Sequence, residues 1–202
     1  MFDRYRKVPQ LTVILIGINV AIYLLMMFLP SSMTSLYNAG TLSTVALSQG
    51  RIWTLVTSMF LHGSLTHLLC NMISLYYLGT MSETVFGKGK FAILYFASGI
   101  IGGLAYCGVN MLAGDPTGAV GASGAIFGLF GAYGYLLLRE SKYNRVFAVK
   151  PGSADITSFF VMLAVNIVFG LTSPGIANEA HIGGMIAGFV IAAVMYPKII
   201  RR

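Results

Sequence analysis

One serine in this apolar chain has neighbours that would suit a nucleophile. Ser123 lies in the run Gly121-Ala122-Ser123-Gly124, and glycines continue beyond it at positions 128, 131 and 134. Glycine on either side lets backbone come close to the hydroxyl, as a backbone oxyanion site requires. Small residues three or four apart also pack membrane helices, and a membrane serine often bonds a carbonyl one turn back. The motif alone leaves both interpretations open.

Two of the three histidines could assist such a serine. A hydroxyl is a poor nucleophile without a base, and neutral imidazole is suited to that role, which we assign to His181. His67 is followed at i+4 by Asn71, so both lie on one helix face. With the free backbone N–H groups of Ala122 and Ser123, these two side chains could stabilise an oxyanion. The chemistry that this set supports is acyl transfer.

No carboxylate is positioned to orient the base. Asp115 and Glu179 fall in loops on the side opposite the basic clusters, so the sequence predicts a Ser123–His181 dyad rather than a triad. We interpret His62, which precedes the second apolar run, as an interfacial residue without a catalytic role. Cys70 and Cys107 show no metal-binding or disulfide spacing. Neither a metal nor a cofactor is expected.

The composition is that of a membrane protein. Of 202 residues, 56% are hydrophobic and 9% charged, whereas soluble domains carry about 25% charged residues. Twelve of the 13 Lys and Arg fall in four clusters between apolar runs, at 4–7, 88–90, 139–150 and 198–202. The positive-inside rule explains this pattern, so a nucleic-acid partner is not expected. The termini are predicted to be cytoplasmic.

The apolar runs predict an all-α polytopic protein that forms one domain over residues 1–202. Six spans are expected, at about 11–29, 65–85, 91–112, 123–138, 156–171 and 180–196. The fourth has 16 residues and would cover only about 24 Å at a rise of about 1.5 Å per residue. We therefore expect a short fourth helix whose first residue, Ser123, is submerged. The connection over 31–64 is predicted to form short interfacial helices, anchored by Arg51 and Trp53.

Topology places the polar residues at one depth. Spans two, four and six run in the same direction, and His67, Ser123 and His181 each lie near the start of their own span. Gly184 and Gly188 form a small-residue stripe on span six that matches the stripe on span four, which favours close approach of the two helices. We expect these three polar residues to converge near the outer side of the membrane.

Three motifs in the chain resemble the signature of the rhomboid intramembrane serine proteases. They are His67-Leu-Leu-Cys-Asn71, Gly121-Ala-Ser123-Gly124 and Ala180-His181-Ile-Gly-Gly184, and the resemblance covers essentially the whole chain. It implies a nucleophile at Ser123, a base at His181, and oxyanion donors at His67, Asn71 and the Ser123 backbone. It also implies cleavage in or next to transmembrane segments of membrane proteins, by an enzyme of the simplest prokaryotic form in the cell membrane, with its site open to the outside.

Some positions depart from the family or carry lesser roles. The family often has Trp-Arg in the first loop, whereas here Arg51 stands two residues before Trp53. Some members have a tyrosine four residues after the nucleophile; Phe127 can stack on the histidine but cannot hydrogen-bond. Asn178 resembles a position at the rim of the site, and Glu83 a structural one. The loop Ser173-Pro174-Gly175 is a candidate mobile cap.

Other functions were weighed against these residues. A metal-dependent intramembrane protease needs an H-E-x-x-H ligand set, which is absent, and an aspartyl protease needs paired membrane aspartates, whereas Asp115 and Asp155 lie at span edges. A small-solute transporter would suit the glycine-rich spans, but the chain has no inverted repeat. A non-proteolytic relative that binds and escorts membrane proteins would lack the serine or the histidine. The last two interpretations remain as alternatives.

Overall fold

The chain folds almost entirely into helices. The computed structural model describes residues 9–143, 153–172 and 176–196. The long helices are α1 (Gln10–Phe28), α5 (Leu65–Phe86), α6 (Lys88–Ala113), α7 (Ser123–Tyr143), α8 (Ser153–Thr172) and α9 (Asn178–Met195). Between α1 and α5 lie α2 (Pro30–Gly40), α3 (Thr44–Ser48), α4 (Thr54–Thr57) and a 3-10 turn (Ser58–Phe60). An isolated β-bridge joins Leu42 to Ala119.

The structure confirms an all-α membrane protein. Among the described residues, α1, α6 and α9 are long and apolar enough to cross a bilayer, and the apolar stretch Ile156–Thr172 of α8 is shorter. The predicted second and fourth spans coincide with α5 and α7, and the fifth with α8. Helix α5 is less apolar because it buries Asn71, Ser74, Ser82 and Glu83. That α5, α7 and α8 also cross the bilayer stays a prediction.

The fourth helix is longer than expected. We predicted 16 residues ending at Leu138, but α7 has 21 and continues to Tyr143. The prediction was wrong because hydropathy stops at Arg139, whereas arginine, glutamate and lysine are good helix formers that extend the helix into a polar environment. At a rise of about 1.5 Å per residue the helix is about 31 Å long. Its length therefore gives no reason for Ser123 to be submerged.

A carboxylate from α5 fixes the start of α1. Glu83 is 8% exposed and accepts hydrogen bonds from the backbone N–H groups of Leu11 (3.0 Å) and Thr12 (2.8 Å) and from the Thr12 hydroxyl (2.8 Å). These N–H groups belong to the first turn, which lacks intrahelical acceptors and favours negative charge. The structural role expected for Glu83 is thus to cap a neighbouring helix.

Glycines let α7 and α9 pack backbone to backbone. These two helices make the most extensive contact in the described part of the chain. A Cβ added at Gly184 would overlap the Gly124 carbonyl, one at Gly188 the Gly128 carbonyl, and one at Gly131 the Met185 carbonyl. The contact therefore requires glycine on both helices, as the paired stripes predicted. Helix α6 joins them, because a Cβ at Gly102 would lie 2.6 Å from the Ala180 carbonyl.

Gly184→Ala should destabilise the protein. Its Cβ would meet backbone of α7, which cannot rotate away, so the two helices must separate; overpacking of this kind costs about 1–3 kcal/mol. The matched control is Gly134→Ala on α7, where nothing lies within 4 Å of an added Cβ. Thermal unfolding in detergent should show a lower melting temperature for Gly184→Ala and an unchanged or slightly raised one for Gly134→Ala. Equal melting temperatures would contradict the backbone contact.

Candidate active site

Ser123 begins α7 directly after a strained turn. Gly121 has φ +129°, a conformation that side-chain-bearing residues rarely adopt, so glycine is required there. The Ile126 N–H bonds to the Ala122 carbonyl at 3.0 Å, while the N–H groups of Ser123, Gly124 and Ala125 precede any α-helical acceptor. The nucleophile candidate thus lies among unpaired backbone donors at a helix N-terminus.

The segment between α1 and α5, here called the first loop, holds this turn in place. The Gly121 N–H donates to the Ser58 carbonyl at 2.9 Å, and Leu42 and Ala119 exchange backbone bonds of 3.2 and 2.7 Å. Leu42 is buried, and Ser58 is 5% exposed. These contacts fix the segment before Ser123 against the loop. They were not predicted, because backbone pairing between residues far apart in sequence leaves no pattern in side-chain types.

His181 meets Ser123 at hydrogen-bond distance. Its Nε2 lies 2.8 Å from the Ser123 Oγ, across 58 residues of chain. The imidazole is buried and stacks on the Phe127 ring, with centroids 4.1 Å apart and planes 5° from parallel, which confirms the predicted stacking. The base candidate is therefore held face-on by an aromatic ring and in line with the hydroxyl.

The second nitrogen of His181 faces helix α8. A Cβ at Gly170 would lie 3.5 Å from His181 Nδ1 and 2.7 Å from the Asn178 Oδ1. Asn178 donates from Nδ2 to the Gly170 carbonyl at 3.1 Å, which ties the end of α8 to the start of α9. In the described part of the chain no carboxylate bonds to His181. The arrangement is a pair rather than a triad.

His67 and Asn71 lie on the side of α5 that faces this pair. The position of a Cβ on Gly121 would be 2.8 Å from His67 Nε2 and 3.6 Å from Ser123 Oγ, so both groups flank one small space. Asn71 is 2% exposed, and within the described residues its Nδ2 has no hydrogen-bond partner. An unpaired buried amide one turn below His67 is a donor that an incoming oxygen could satisfy.

Two cavities differ in what surrounds them. One of about 30 Å³ adjoins Ser123 and is walled by small residues, including Gly99, Gly103, Gly124 and Ala125. A larger apolar cleft of about 410 Å³ lies between α1 and α2, with Trp53 and Thr57 in its wall. The larger cleft lacks a nucleophile or base, so the small cavity is the one relevant to chemistry. No group of three or more potential metal ligands occurs in the residues described.

His62, interpreted from the sequence as an interfacial residue, is buried within the protein. It is 4% exposed and contacts the His67 ring at a centroid distance of 5.1 Å. The sequence carried one signal for this contact, since His62 shortly precedes α5 and His67 lies in the first turn of that helix. Its position at the membrane interface stays a prediction.

Two further predictions concern Trp53 and the loop 173–175. Trp53 donates from Nε1 to the Ala39 carbonyl at 3.1 Å, so it holds α2 within the loop despite its altered spacing from Arg51. The cap candidate 173–175 lies outside the described residues, as do most of the basic residues at 4–7, 142–150 and 198–202.

Comparison with known proteins identifies the family of the chain. A model of the rhomboid domain matches residues 49–198. The chain is 33% identical over 189 residues to rhomboid protease GluP of Bacillus subtilis, covering 93% of this chain and 35% of GluP. It is 36% identical over 169 residues to RHOMBOID-like protein 7 of Arabidopsis thaliana, covering 82% and 50%. With YdcA of Bacillus subtilis it shares 27% over 174 residues, covering 82% and 75%.

The rhomboid-domain match covers most of this chain and shows its family, whereas these relatives are longer than the chain. The chain spans about a third of GluP and half of RHOMBOID-like protein 7. The matched domain includes all three motifs and the helices that hold them. The chain belongs to the rhomboid family of membrane proteins.

Proposed function

We propose that the chain is an intramembrane serine endopeptidase that uses a Ser123–His181 dyad. The observation that carries the proposal is the 2.8 Å separation of His181 Nε2 and Ser123 Oγ. It is the contact that general-base activation of a serine requires. Relatedness to rhomboid proteases supports the same reaction.

The reaction follows from the geometry in two steps. His181 Nε2 accepts the Ser123 proton as Oγ attacks the scissile carbonyl, and the resulting imidazolium then protonates the leaving amine. The same nitrogen next takes a proton from water, whose oxygen attacks the acyl-enzyme, and it returns that proton to Ser123 Oγ as the acid is released. In both steps the carbonyl oxygen becomes an oxyanion, and the groups proposed to stabilise it are the Ala122 and Ser123 N–H groups, His67 and Asn71.

The cavity beside Ser123 supports a preference for small residues before the cut. Its volume is about 30 Å³, and its walls are the glycines and alanines around Ser123 together with Leu42 and Met59. A small side chain suits such a space, whereas a branched one would force the closely packed walls apart. The substrates proposed are transmembrane segments of membrane proteins. A helix-breaking residue near the cut would expose the scissile carbonyl at lower cost.

The proposed orientation follows from charge. Lys88, Lys90 and Arg139 are at the ends of α6 and α7 away from Ser123, and the positive-inside rule assigns those ends to the cytoplasm. The dyad then opens toward the outer side of a prokaryotic cell membrane. The lipid bilayer is thus both the solvent of the enzyme and the source of its substrates.

Ser123→Ala and His181→Ala should each abolish cleavage of a model transmembrane substrate in detergent. Each change removes one member of the proton-transfer pair. Because Ser123→Ala deletes only a hydroxyl and little packing volume, this variant should keep the wild-type melting temperature. Gel-based detection of the two products measures the loss, and covalent labelling by a fluorophosphonate tests Ser123 as the reacting atom. Undiminished cleavage by Ser123→Ala would rule out the Ser123–His181 dyad, whereas a wild-type chain that cleaves nothing and is not labelled would favour an escort or transport function.

Asn71→Ala should leave weak activity. Loss of one oxyanion donor typically lowers kcat about 10²–10³-fold, while KM changes little because the bond forms only in the transition state. The control is Cys70→Ala, the half-buried neighbour on the same helix, which should retain activity close to wild type. If both variants lose kcat equally, Asn71 acts through folding instead.

Enlarging the residue before the cut should block cleavage. A substrate with Ala at that position should be processed, and the same substrate with Val or Leu should lose about 10- to 100-fold in kcat/KM, the equivalent of about 1–3 kcal/mol of overpacking. The same enlargement three residues further along the substrate serves as the control. Equal rates for Ala and Leu before the cut would exclude the small cavity as the binding subsite.

A further inference from the structure

His62 is a buried histidine that the dyad does not use. It lies between the 3-10 turn and α5, with 4% of its surface exposed, and neither ring nitrogen has a hydrogen-bond partner among the described residues. Burial lowers the pKa of His62 to about 3, with a smaller contribution from His67 and a weak opposing one from the Phe60 backbone. The ring is therefore neutral at physiological pH, with one donor and one acceptor. Leaving such groups unpaired costs about 1–3 kcal/mol each.

A third cavity adjoins this ring. It has a volume of about 220 Å³ and is lined by the end of α1, by α2 and by the loop before α5, with Met26, Met33, Tyr37 and His62 in its walls. Both ring nitrogens of His62 are buried, so water in this cavity does not reach them. What the ring contributes is therefore its packing contacts rather than a bond to cavity water.

His62 also touches the oxyanion side of the site. Its ring and that of His67 meet edge to face, with centroids 5.1 Å apart and planes at 65°. On its other side His67 reaches the Gly121 turn, where its Nε2 lies 2.8 Å from the position of an added Cβ. The imidazole of His67 is therefore held between His62 and Gly121. A change in the His62 ring would free His67 to rotate away from Ser123.

We propose that His62 is a positioning residue for peptide hydrolysis. Through the edge-to-face contact of the two rings, it holds the His67 ring against the Gly121 turn beside Ser123. This inference rests on the proposed serine-protease function and adds a residue to it. Because His67 acts on the oxyanion, the contribution of His62 appears in the transition state, so its loss lowers kcat and leaves KM unchanged.

A double-mutant cycle tests the coupling. His62→Ala should lower kcat about 10- to 100-fold, the scale expected when a catalytic group is displaced by about 1 Å. In a His67→Ala background the same change should cause no further loss, because the group being positioned is gone. The rate of Ser123 labelling by a fluorophosphonate gives a second readout that remains measurable in slow variants. An equal loss in both backgrounds would overturn the proposal.

Two conservative variants separate the ring nitrogens from ring volume. His62→Phe keeps the ring that packs on His67 and should retain most of the kcat, whereas His62→Gln keeps a donor and an acceptor without the ring and should be as slow as His62→Ala. Full activity of His62→Gln would refute the role of the ring contact. Leu61→Ala, at a buried neighbour in the same loop, is the matched structural control, and its effect on kcat should be the same in both His67 backgrounds.

The outcomes distinguish this inference from the function on which it rests. If Ser123→Ala abolishes cleavage while the cycle shows no coupling, the serine protease stands and the positioning role fails. If Ser123→Ala cleaves normally, the Ser123–His181 dyad on which this inference rests fails, whatever the His62 variants do. Melting temperatures of all variants, measured in the same detergent, identify any that fail to fold, and His62→Gln then replaces His62→Ala in the cycle.

Discussion

The site depends on one contact, the approach of the α7 and α9 backbones through glycine. Gly124 follows Ser123, and Gly184 lies three residues after His181, so the contact of Gly184 with the Gly124 carbonyl sets the distance between the two side chains. Inside a membrane there is little hydrophobic force between helices, and close packing of small residues replaces it. A side chain at Gly184 would overlap the Gly124 backbone and so separate Ser123 from His181.

The first loop also supports the position of Ser123. Backbone bonds from Ser58 and Leu42 hold the segment that ends at Ser123, so the nucleophile candidate is attached both to a rigid helix and to a fixed turn. These bonds are buried, where a lower dielectric strengthens them. A loop of more than 30 residues that lies against the helix ends thus has a definite task, which is to orient the first turn of α7 and its free N–H groups.

The site orients its groups without buried charge. A carboxylate that oriented His181 would have to be taken out of water, at a cost recovered only if all its hydrogen bonds were satisfied. Here Phe127 stacks on the imidazole and fixes its plane, and Gly170 leaves room at Nδ1. Among the residues whose side chains the structure describes, the buried carboxylate is Glu83, which has three donors and caps α1 far along α5 from the dyad. Aromatic stacking and close backbone packing position the groups near Ser123.

The sequence by itself determined the membrane class and the helix positions to within about three residues in most cases, and it singled out the residues proposed for acyl transfer, because hydropathy and residue type are local properties. It misjudged the end of α7, where helix and apolar segment differ, and it did not indicate how deeply His62 is buried. Tertiary structure alone decided the Ser123–His181 distance, the support of Gly121 by Ser58 and the contact of His62 with His67. Those features join segments far apart in the chain, and only the packing of α5, α7, α9 and the first loop brings them within reach of one another.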